Sequence, residues 1–393
     1  MRVVLFTGKG GVGKTTVAAA TATLSAATGR KTLAVSTDAA HSLGDVLDAE
    51  LGGRPHEIDT GLFGMHVDTQ AAFERSWHTV QGYLFELLEA GGVDPIAAGE
   101  LTVVPGAEEI LALLAVRDAA RSGGFDVVCV DCAPTAETLR LLRLPDVLDW
   151  WLRRLYSDER RVLRNLRPIL ARTAGLPLPS DAVFEAAGRL RAELADVRAL
   201  LAGDGCSVRL VVTPERVVVA EARRTATALA LHGYRVDGVA VNRVLPPGRD
   251  AWRAGWVRAQ DAQLAEVDAG FPDVPRWRFE YAAAEPVGAV ALAALARGSY
   301  GQDDPVGEAV GLAPMAVERT VDGFALTLAL PFASRGEIDL ARTGDELVVG
   351  VGGGRRIVAL PSALRRCTVD GAKLSDGRLV VRFVPDPERW FRR

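Results

Sequence analysis

Short apolar runs alternate with longer segments of helical periodicity through most of the chain. The runs span Val3–Phe6, Thr32–Ser36, Gly64–Val67, Asp126–Asp131, Val208–Val212 and Val236–Val241. Such alternation is typical of a doubly wound, mostly parallel sheet with helices on both faces, so the predicted fold class is α/β. Ligands of these sheets bind beyond the carboxyl ends of the strands.

Three stripes of apolar residues at helical spacing interrupt this alternation, at residues 73–87, 147–170 and 181–202. They predict helical insertions at about 69–118 and 140–203, which together would form a helical subdomain grafted onto the sheet. The alternative, that the stripes only pack against the sheet, stays open at this point.

The pattern changes after residue 298. Residues 299–314 are polar and rich in Gly and Pro, which predicts a linker. From 315 to 393, apolar residues alternate with polar ones and Asp-Gly turns separate the runs, which predicts a small antiparallel β-sandwich. The first unit is therefore expected to occupy residues 1–298.

Composition narrows the class of protein. The chain has 393 residues, of which 49% are hydrophobic and 24% charged, and a formal net charge of -4. These values are those of a soluble globular protein, and the charge argues against broad nucleic-acid binding. The longest nearly apolar stretch, Val287–Ala296, is too short for the ~20 residues of a membrane-spanning helix. We expect a cytoplasmic protein without an integral membrane segment.

The four cysteines are too few and too scattered for a disulfide framework, which fits a reducing compartment. Cys129 and Cys132 form a Cys-x-x-Cys pair, but they fall on a predicted strand, where residues three apart point to opposite faces. A buried thiol pair is the favoured interpretation, and a metal or redox role is the alternative.

A glycine-rich loop with two lysines follows the first apolar run and precedes an Ala-rich helical stretch. Its residues are Gly8, Lys9, Gly10, Gly11, Val12, Gly13, Lys14, Thr15 and Thr16. A strand, a glycine loop and a helix start direct backbone N–H groups and a positive helix end at one anion. The chain holds four lysines in all, and two lie in this phosphate loop. It therefore predicts a nucleoside triphosphate site.

Lys14 suits the β and γ oxygens of the triphosphate, and three oxygen-bearing side chains fit the rest of the chemistry of ATP hydrolysis. The first is the Thr15 hydroxyl, which suits Mg²⁺. Asp131 closes an apolar strand, where magnesium or its water shell would balance its charge; a helix-capping role is the alternative. Asp38 follows another apolar strand and is predicted to orient the attacking water near the metal ion.

Three separated motifs carry a family resemblance: the phosphate loop, the segment from Asp38 to Asp45, and the segment from Phe125 to Pro145. In this order they resemble the arsenite-transporter ATPases, a family that includes the ATPase delivering tail-anchored membrane proteins. The resemblance covers about residues 1–298. It implies an ATP hydrolase, converting ATP and water to ADP and phosphate, that uses Mg²⁺ and acts as a homodimer.

The resemblance also implies residue roles. Lys9 matches a lysine that reaches the partner's nucleotide, so Lys9, Lys14 and Asp38 are the expected catalytic residues, and Thr15, Asp38 and Asp131 the expected metal site. Asn242 matches an adenine-contacting asparagine, and Pro286 lies where a second adenine-side loop is expected. The helical insertions match a region that forms a hydrophobic client groove across the dimer.

Some family features are missing. The arsenite-binding cysteines and the dimer-stapling zinc Cys-x-x-Cys have no counterpart at their expected places, and Ala136-Glu137 stands where Gly-His is usual. With one phosphate loop per chain, a paired site requires two chains. The segment 315–393 resembles the small heat-shock, α-crystallin-like domain fused to some members.

The function expected is a dimeric, nucleotide-dependent switch that binds or targets hydrophobic clients such as tail-anchored membrane proteins. A partition-type positioning ATPase is one alternative. A chaperone in which the nucleotide is mainly structural is another.

Overall fold

A computed structural model describes residues 1–37, 42–67, 82, 85, 107–133, 135, 138–139, 142, 181–309 and 313–390. Asp38 and the apolar stripes at 73–87 and 147–170 lie outside the described residues. Of the three stripes, the one at 181–202 is described.

An eight-stranded sheet forms the centre of the first domain, in the order β3-β4-β2-β5-β1-β6-β7-β8. All neighbours run parallel except β3, which is antiparallel to β4. This confirms the predicted α/β class. The strands are β1 Arg2–Thr7, β2 Thr32–Ser36, β3 His56–Asp59, β4 Leu62–His66, β5 Val127–Asp131, β6 Cys206–Val212, β7 Val236–Val244 and β8 Arg276–Glu280.

Helices cover this sheet. They are α1 Lys14–Ala27, α2 Ser42–Leu47, α3 Ala107–Arg121, α4 Asp181–Leu201, α5 Arg216–Leu231, α6 Ala251–Gly270 and α7 Gly288–Tyr300. The run from Val17 to Ala20 in α1 is fully buried, because its small side chains allow close packing against the sheet and α7.

Helix α4 contains the predicted apolar stripe at 181–202 and shows what this stripe packs against. Leu190, Leu194 and Val197 are buried in the same core as the sheet strands, and α4 packs against α3 and β6. At this stripe the helical spacing thus serves packing onto the main core, which is the alternative that the sequence left open.

The C-terminal domain is the predicted antiparallel sandwich. Its strands are β9 Met315–Arg319, β10 Phe324–Ala329, β11 Ile338–Thr343, β12 Glu346–Val351, β13 Gly354–Ala359, β14 Cys367–Ser375 and β15 Arg378–Pro385, with short helices α8 Ser362–Arg365 and α9 Pro387–Trp390. A β14-β15-β10-β9 sheet faces a β11-β12-β13 sheet. Alternating residues of both sheets, including Leu328, Leu347 and Phe383, share one buried core.

This sandwich is packed on the first domain. The Arg356 guanidinium donates to the Leu231 carbonyl at 2.7 Å, and the Leu231 side chain lies in the sandwich core. The Phe332 ring meets Phe271 edge-on at 5.1 Å between centroids, and Thr227 donates to the Pro331 carbonyl. The sandwich therefore packs against the C-terminal ends of α5 and α6.

The predicted linker at 299–314 is an anchored connection over its described part. Helix α7 continues to Tyr300. Arg30 then makes a bidentate pair with Asp304 at 2.6 and 2.8 Å, and Arg209 donates to the Pro305 carbonyl at 2.8 Å. The segment that leads to the sandwich is thus fastened to the first domain.

A buried ionic network joins strands β1, β6 and β7 near their amino-terminal ends. Asp237 is 3% exposed and accepts from Arg2 at 2.8 Å, from Arg209 at 3.0 and 3.2 Å, and from Ser207 at 2.7 Å. Burial alone would lower the pKa of Arg209, which is 2% exposed, but the Asp237 carboxylate and the Tyr300 oxygen raise it above its usual value.

Asp237→Ala is expected to lower the free energy of unfolding by about 3 kcal/mol, because it leaves two guanidinium groups buried without their carboxylate. Urea denaturation measures this loss. Asp268→Ala is the control, since Asp268 pairs with Arg276 and Arg278 at 3.2 and 3.0 Å but its side chain is 42% exposed. We expect its loss to stay below about 1 kcal/mol; equal losses in the two variants would contradict this account.

Candidate functional site

The phosphate loop joins the end of β1 to the start of α1, and its glycines are required by its geometry. Gly11 and Gly13 have φ of 80° and 88°, in the left-handed region that favours glycine. A Cβ on Gly8 would lie 2.1 Å from the Val211 carbonyl oxygen, and one on Gly13 would lie 2.3 Å from Asn242 Nδ2. The loop is therefore held tightly between β6 and β7.

The first turn of α1 suits an anion. Gly13 caps the helix without any side-chain hydrogen bond, and the turn contains no acidic residue. Its N–H groups and positive end are thus left for a ligand, and Lys14, 7% exposed, is held in the same turn. The arrangement fits the triphosphate that the sequence predicts.

Two threonines add polar groups beside this loop. The Thr135 N–H donates to the Gly8 carbonyl at 3.2 Å, which brings the chain that follows Asp131 against the loop. Among the described residues, the buried hydroxyls of Thr7 and Thr135 have no hydrogen-bond partner. Buried hydroxyls without partners are costly, so both fit a site that is completed by a polar ligand.

Oxygen atoms that could ligate a metal ion lie near the start of α1 and the carboxyl-terminal ends of β2 and β5. The Thr15 and Ser42 hydroxyl oxygens are 3.3 Å apart, and Asp131, 1% exposed, ends β5 in register with Phe6 and Ser36. Hydroxyl and carboxylate oxygens are hard ligands that suit Mg²⁺. Ser42 was not predicted as a ligand, although its place inside the Asp38 to Asp45 segment was a usable signal.

The predicted water-orienting residue, Asp38, lies outside the described residues. The preceding Thr37 is fixed, because its N–H and its hydroxyl both contact the Asp131 carbonyl, at 2.9 and 3.2 Å. The chain therefore leaves β2 beside the end of β5, next to the candidate metal ligands.

Lys9 differs from Lys14 in its surroundings. It is half-buried and lies beside the exposed Gly10 and Gly11 at the tip of the loop. In the parts of the chain that the structure describes, no carboxylate makes an ion pair with the Lys9 ammonium. Its charge is therefore not used by the described part of its own chain.

The two residues predicted to contact adenine both lie at the carboxyl-terminal side of the sheet, near the end of β7 and after β8. Asn242, 7% exposed near the end of β7, donates from Nδ2 to the Val12 carbonyl at 2.9 Å. Pro286 is half-buried in the loop between β8 and α7. The contact between Asn242 and the phosphate loop was not predicted, because it depends on the positions of strands two places apart in the sheet.

The cysteines are free and buried. Burial raises the pKa of Cys129 and of Cys206 to about 12, and it also raises that of Cys132. Protonated thiols are poor nucleophiles and poor metal ligands. Within the described ranges, no three His, Cys, Asp or Glu side chains are grouped as metal ligands.

Residues 1–300 match the family model of the anion-transporting ATPases. The chain belongs to this ATPase family. Residues 321–383 match the model of an HSP20-like domain found in ArsA, the arsenical ATPase, so the sandwich is the fused small heat-shock domain that the sequence resembled. Both parts of the resemblance are confirmed, and the protein is a nucleotide-binding ATPase.

Several relatives match this chain in sequence, two of those that follow over nearly their full length. An uncharacterized protein of Streptomyces coelicolor is 40% identical over 99% of both chains. A candidate arsenical pump-driving ATPase of Chlorobaculum tepidum is 36% identical over 98% of this chain and 96% of its own. The arsenical pump-driving ATPase of Escherichia coli is 32% identical over 69% of this chain and 44% of its own.

Among the helices that the structure describes, none is long and apolar enough to cross a bilayer.

Proposed function

We propose that two copies of this ATPase close face to face on two ATP molecules, with Lys9 of each chain on the nucleotide of the other. The observation that carries the proposal is the position of Lys9. Lys14 already supplies a buried ammonium to the loop, whereas Lys9 is at the exposed tip without an ion pair in the described residues. A second lysine there suits a phosphate approached from outside.

Each chain binds its own nucleotide through the phosphate loop. The N–H groups of the first turn of α1 and the Lys14 ammonium hold the phosphate oxygens, and Asn242 and Pro286 contact the base. Thr15, Asp131 and Ser42 would hold Mg²⁺, whose charge, when it is bound, balances that of the phosphates. The N–H groups are fixed before the ligand arrives, so little reorganisation accompanies the reaction.

Asp38 completes the site by orienting the water that attacks the γ-phosphate. Asp38→Asn is expected to lower ATP turnover by about a hundredfold and to leave the affinity for ATP nearly unchanged, because the amide is a far weaker base than the carboxylate. Phosphate release and equilibrium ATP binding measure the two effects.

Asp45→Asn is the matched control, since Asp45 is exposed on α2 in the same segment and no described residue pairs with it. Its turnover is expected to stay within twofold of wild type, about the effect of an exposed charge. Wild-type turnover in Asp38→Asn would instead favour a chaperone with a structural nucleotide.

We further propose that the nucleotide cycle controls binding of a hydrophobic client, such as a tail-anchored membrane segment. The fused HSP20-like domain, which packs on α5 and α6 of the ATPase domain, supports this proposal. The test is whether the protein with a non-hydrolysable ATP analogue keeps a synthetic transmembrane peptide in solution. Peptide that precipitates equally with and without protein would contradict the client step.

Activation by arsenite is not part of this proposal. All four cysteines are buried, and burial raises the pKa of the three in the ATPase domain. A soft metal needs accessible thiolates close together.

A further inference from the structure

Strand β7 contains an irregular bulge directly after Asn242. Its pairing with β8 shifts register between Val241 and Val244, and Arg243 has a φ of 58°. A non-glycine residue in the left-handed region is held there only when its surroundings fix it. Something must therefore stabilise this bulge.

Gln260 of α6 provides that support. It is 7% exposed, its Nε2 donates to the Arg243 carbonyl at 3.1 Å, and its Oε1 accepts from the Leu245 N–H at 2.8 Å. Both ends of one buried amide thus bracket the bulge, and neither hydrogen bond survives a flip of the amide. The backbone after Asn242 is fixed from the helix side.

The phosphate loop fixes the Asn242 side chain from the other side. The Val12 carbonyl can only accept a hydrogen bond, so the Asn242 partner at 2.9 Å is the NH₂ group and not the oxygen. A Cβ on Gly13 would lie 2.3 Å from Nδ2, so the glycine provides the space that the Asn242 amide occupies beside the loop. The Asn242 Oδ1 consequently points away from the loop, and no described residue donates to it.

We propose that Gln260, through the bulge at Arg243, positions the Asn242 oxygen so that it selects a purine with a 6-amino group over one with a 6-oxo group. An oriented amide oxygen accepts a hydrogen bond from an amino group and faces a 6-oxo group as a second acceptor. Gln260 is a positioning residue, since the hydrogen bonds of its side chain within the described residues go to the backbone beside Asn242. This inference rests on the proposed contact between Asn242 and the base.

The test compares ATP with inosine triphosphate, which carries a 6-oxo group in place of the 6-amino group and a proton on N1. The wild-type enzyme is expected to have a KM for ATP at least about tenfold below that for inosine triphosphate. Gln260→Leu removes both hydrogen bonds and should raise the KM for ATP about tenfold, leave that for inosine triphosphate within twofold, and leave kcat for ATP nearly unchanged.

Two further variants complete the experiment. Gln260→Met keeps most of the length of the side chain and loses the donor to Arg243 and the strong acceptor for the Leu245 N–H, so it should raise the KM for ATP as the leucine variant does. It decides the question if the leucine variant does not fold. Gln263→Leu, on the same helix, is the matched control and should keep the wild-type preference.

The inference is overturned if a folded Gln260 variant keeps the wild-type preference, or if both KM values rise equally, as a merely structural role would require. It is also overturned if the wild-type enzyme hydrolyses the two nucleotides equally well, a result that leaves the proposed ATPase site intact. If the wild type hydrolyses neither nucleotide, the proposed function fails as well.

Discussion

Lys14→Ala is expected to lower ATP turnover by about a thousandfold or more. The ammonium is buried in the first turn of α1, and in our proposal it lies against the β and γ oxygens, where negative charge develops during the reaction. Its removal leaves the N–H groups of the loop to stabilise that charge alone. A steady-state phosphate-release assay at saturating ATP measures the loss.

Lys31→Ala is the control for this variant, because Lys31 is one of the four lysines and lies outside the site. Its ammonium lies 5.1 Å from the Phe63 ring centroid and 5.4 Å from that of Phe125, on the exposed surface. We expect turnover within twofold of wild type, since a surface cation–π contact affects stability slightly and chemistry not at all. A Lys14→Ala enzyme retaining a tenth of wild-type activity would contradict the assigned role.

Lys9→Ala is expected to lower turnover by a similar factor, about a thousandfold, although Lys14, Thr15 and the loop glycines of the same chain are untouched. A positive charge supplied by a second molecule to the transferred phosphoryl group has effects of this size in other hydrolases. ATP binding by the isolated chain should change little. The measurements are turnover and equilibrium binding of a fluorescent ATP analogue.

The control for Lys9 is Lys9→Arg, which keeps the charge and changes its shape. A planar guanidinium does not replace a compact ammonium against one phosphate oxygen, so we expect partial activity between those of wild type and Lys9→Ala. If Lys9→Ala hydrolyses ATP like the wild type, the charge at this position has no part in the reaction.

The sequence predicted the buried strands better than the edge strands. The runs in β1, β2 and β5 are continuous apolar segments, and that in β6 is interrupted only by Arg209, because both faces of a central parallel strand are buried. Strands β3 and β8 were missed. They lie at the two edges of the sheet and read His-Glu-Ile-Asp and Arg-Trp-Arg-Phe-Glu, so polar side chains interrupt the apolar run.

The candidate site also has a part that the sequence predicted and a part that it did not. The phosphate loop could be predicted because its residues are contiguous and its glycines mark the required turn. The bond from Asn242 to Val12 and the support of Arg243 by Gln260 could not, because each joins elements far apart in the chain through the register of β7 and the packing of α6. Likewise, nothing in the apolar runs marked Asp237 and Arg209 as partners inside the core.

The central claim is that Lys9 acts on the nucleotide of the partner chain, and a mixed dimer of two inactive variants tests it most directly. Lys9→Ala and Lys14→Ala chains with different tags are co-expressed, and the heterodimer is purified through both tags. If Lys9 acts on the partner, the Lys9→Ala chain has its own Lys14 and receives Lys9 from the other chain, which completes one of the two sites.

The heterodimer should then show about half of the wild-type activity per dimer, although each parent homodimer is nearly inactive. If Lys9 serves its own nucleotide, both sites of the heterodimer are defective, and its activity should not exceed that of the parents. A heterodimer as inactive as its parents, or a chain that remains a monomer with saturating ATP and Mg²⁺, would contradict the paired site.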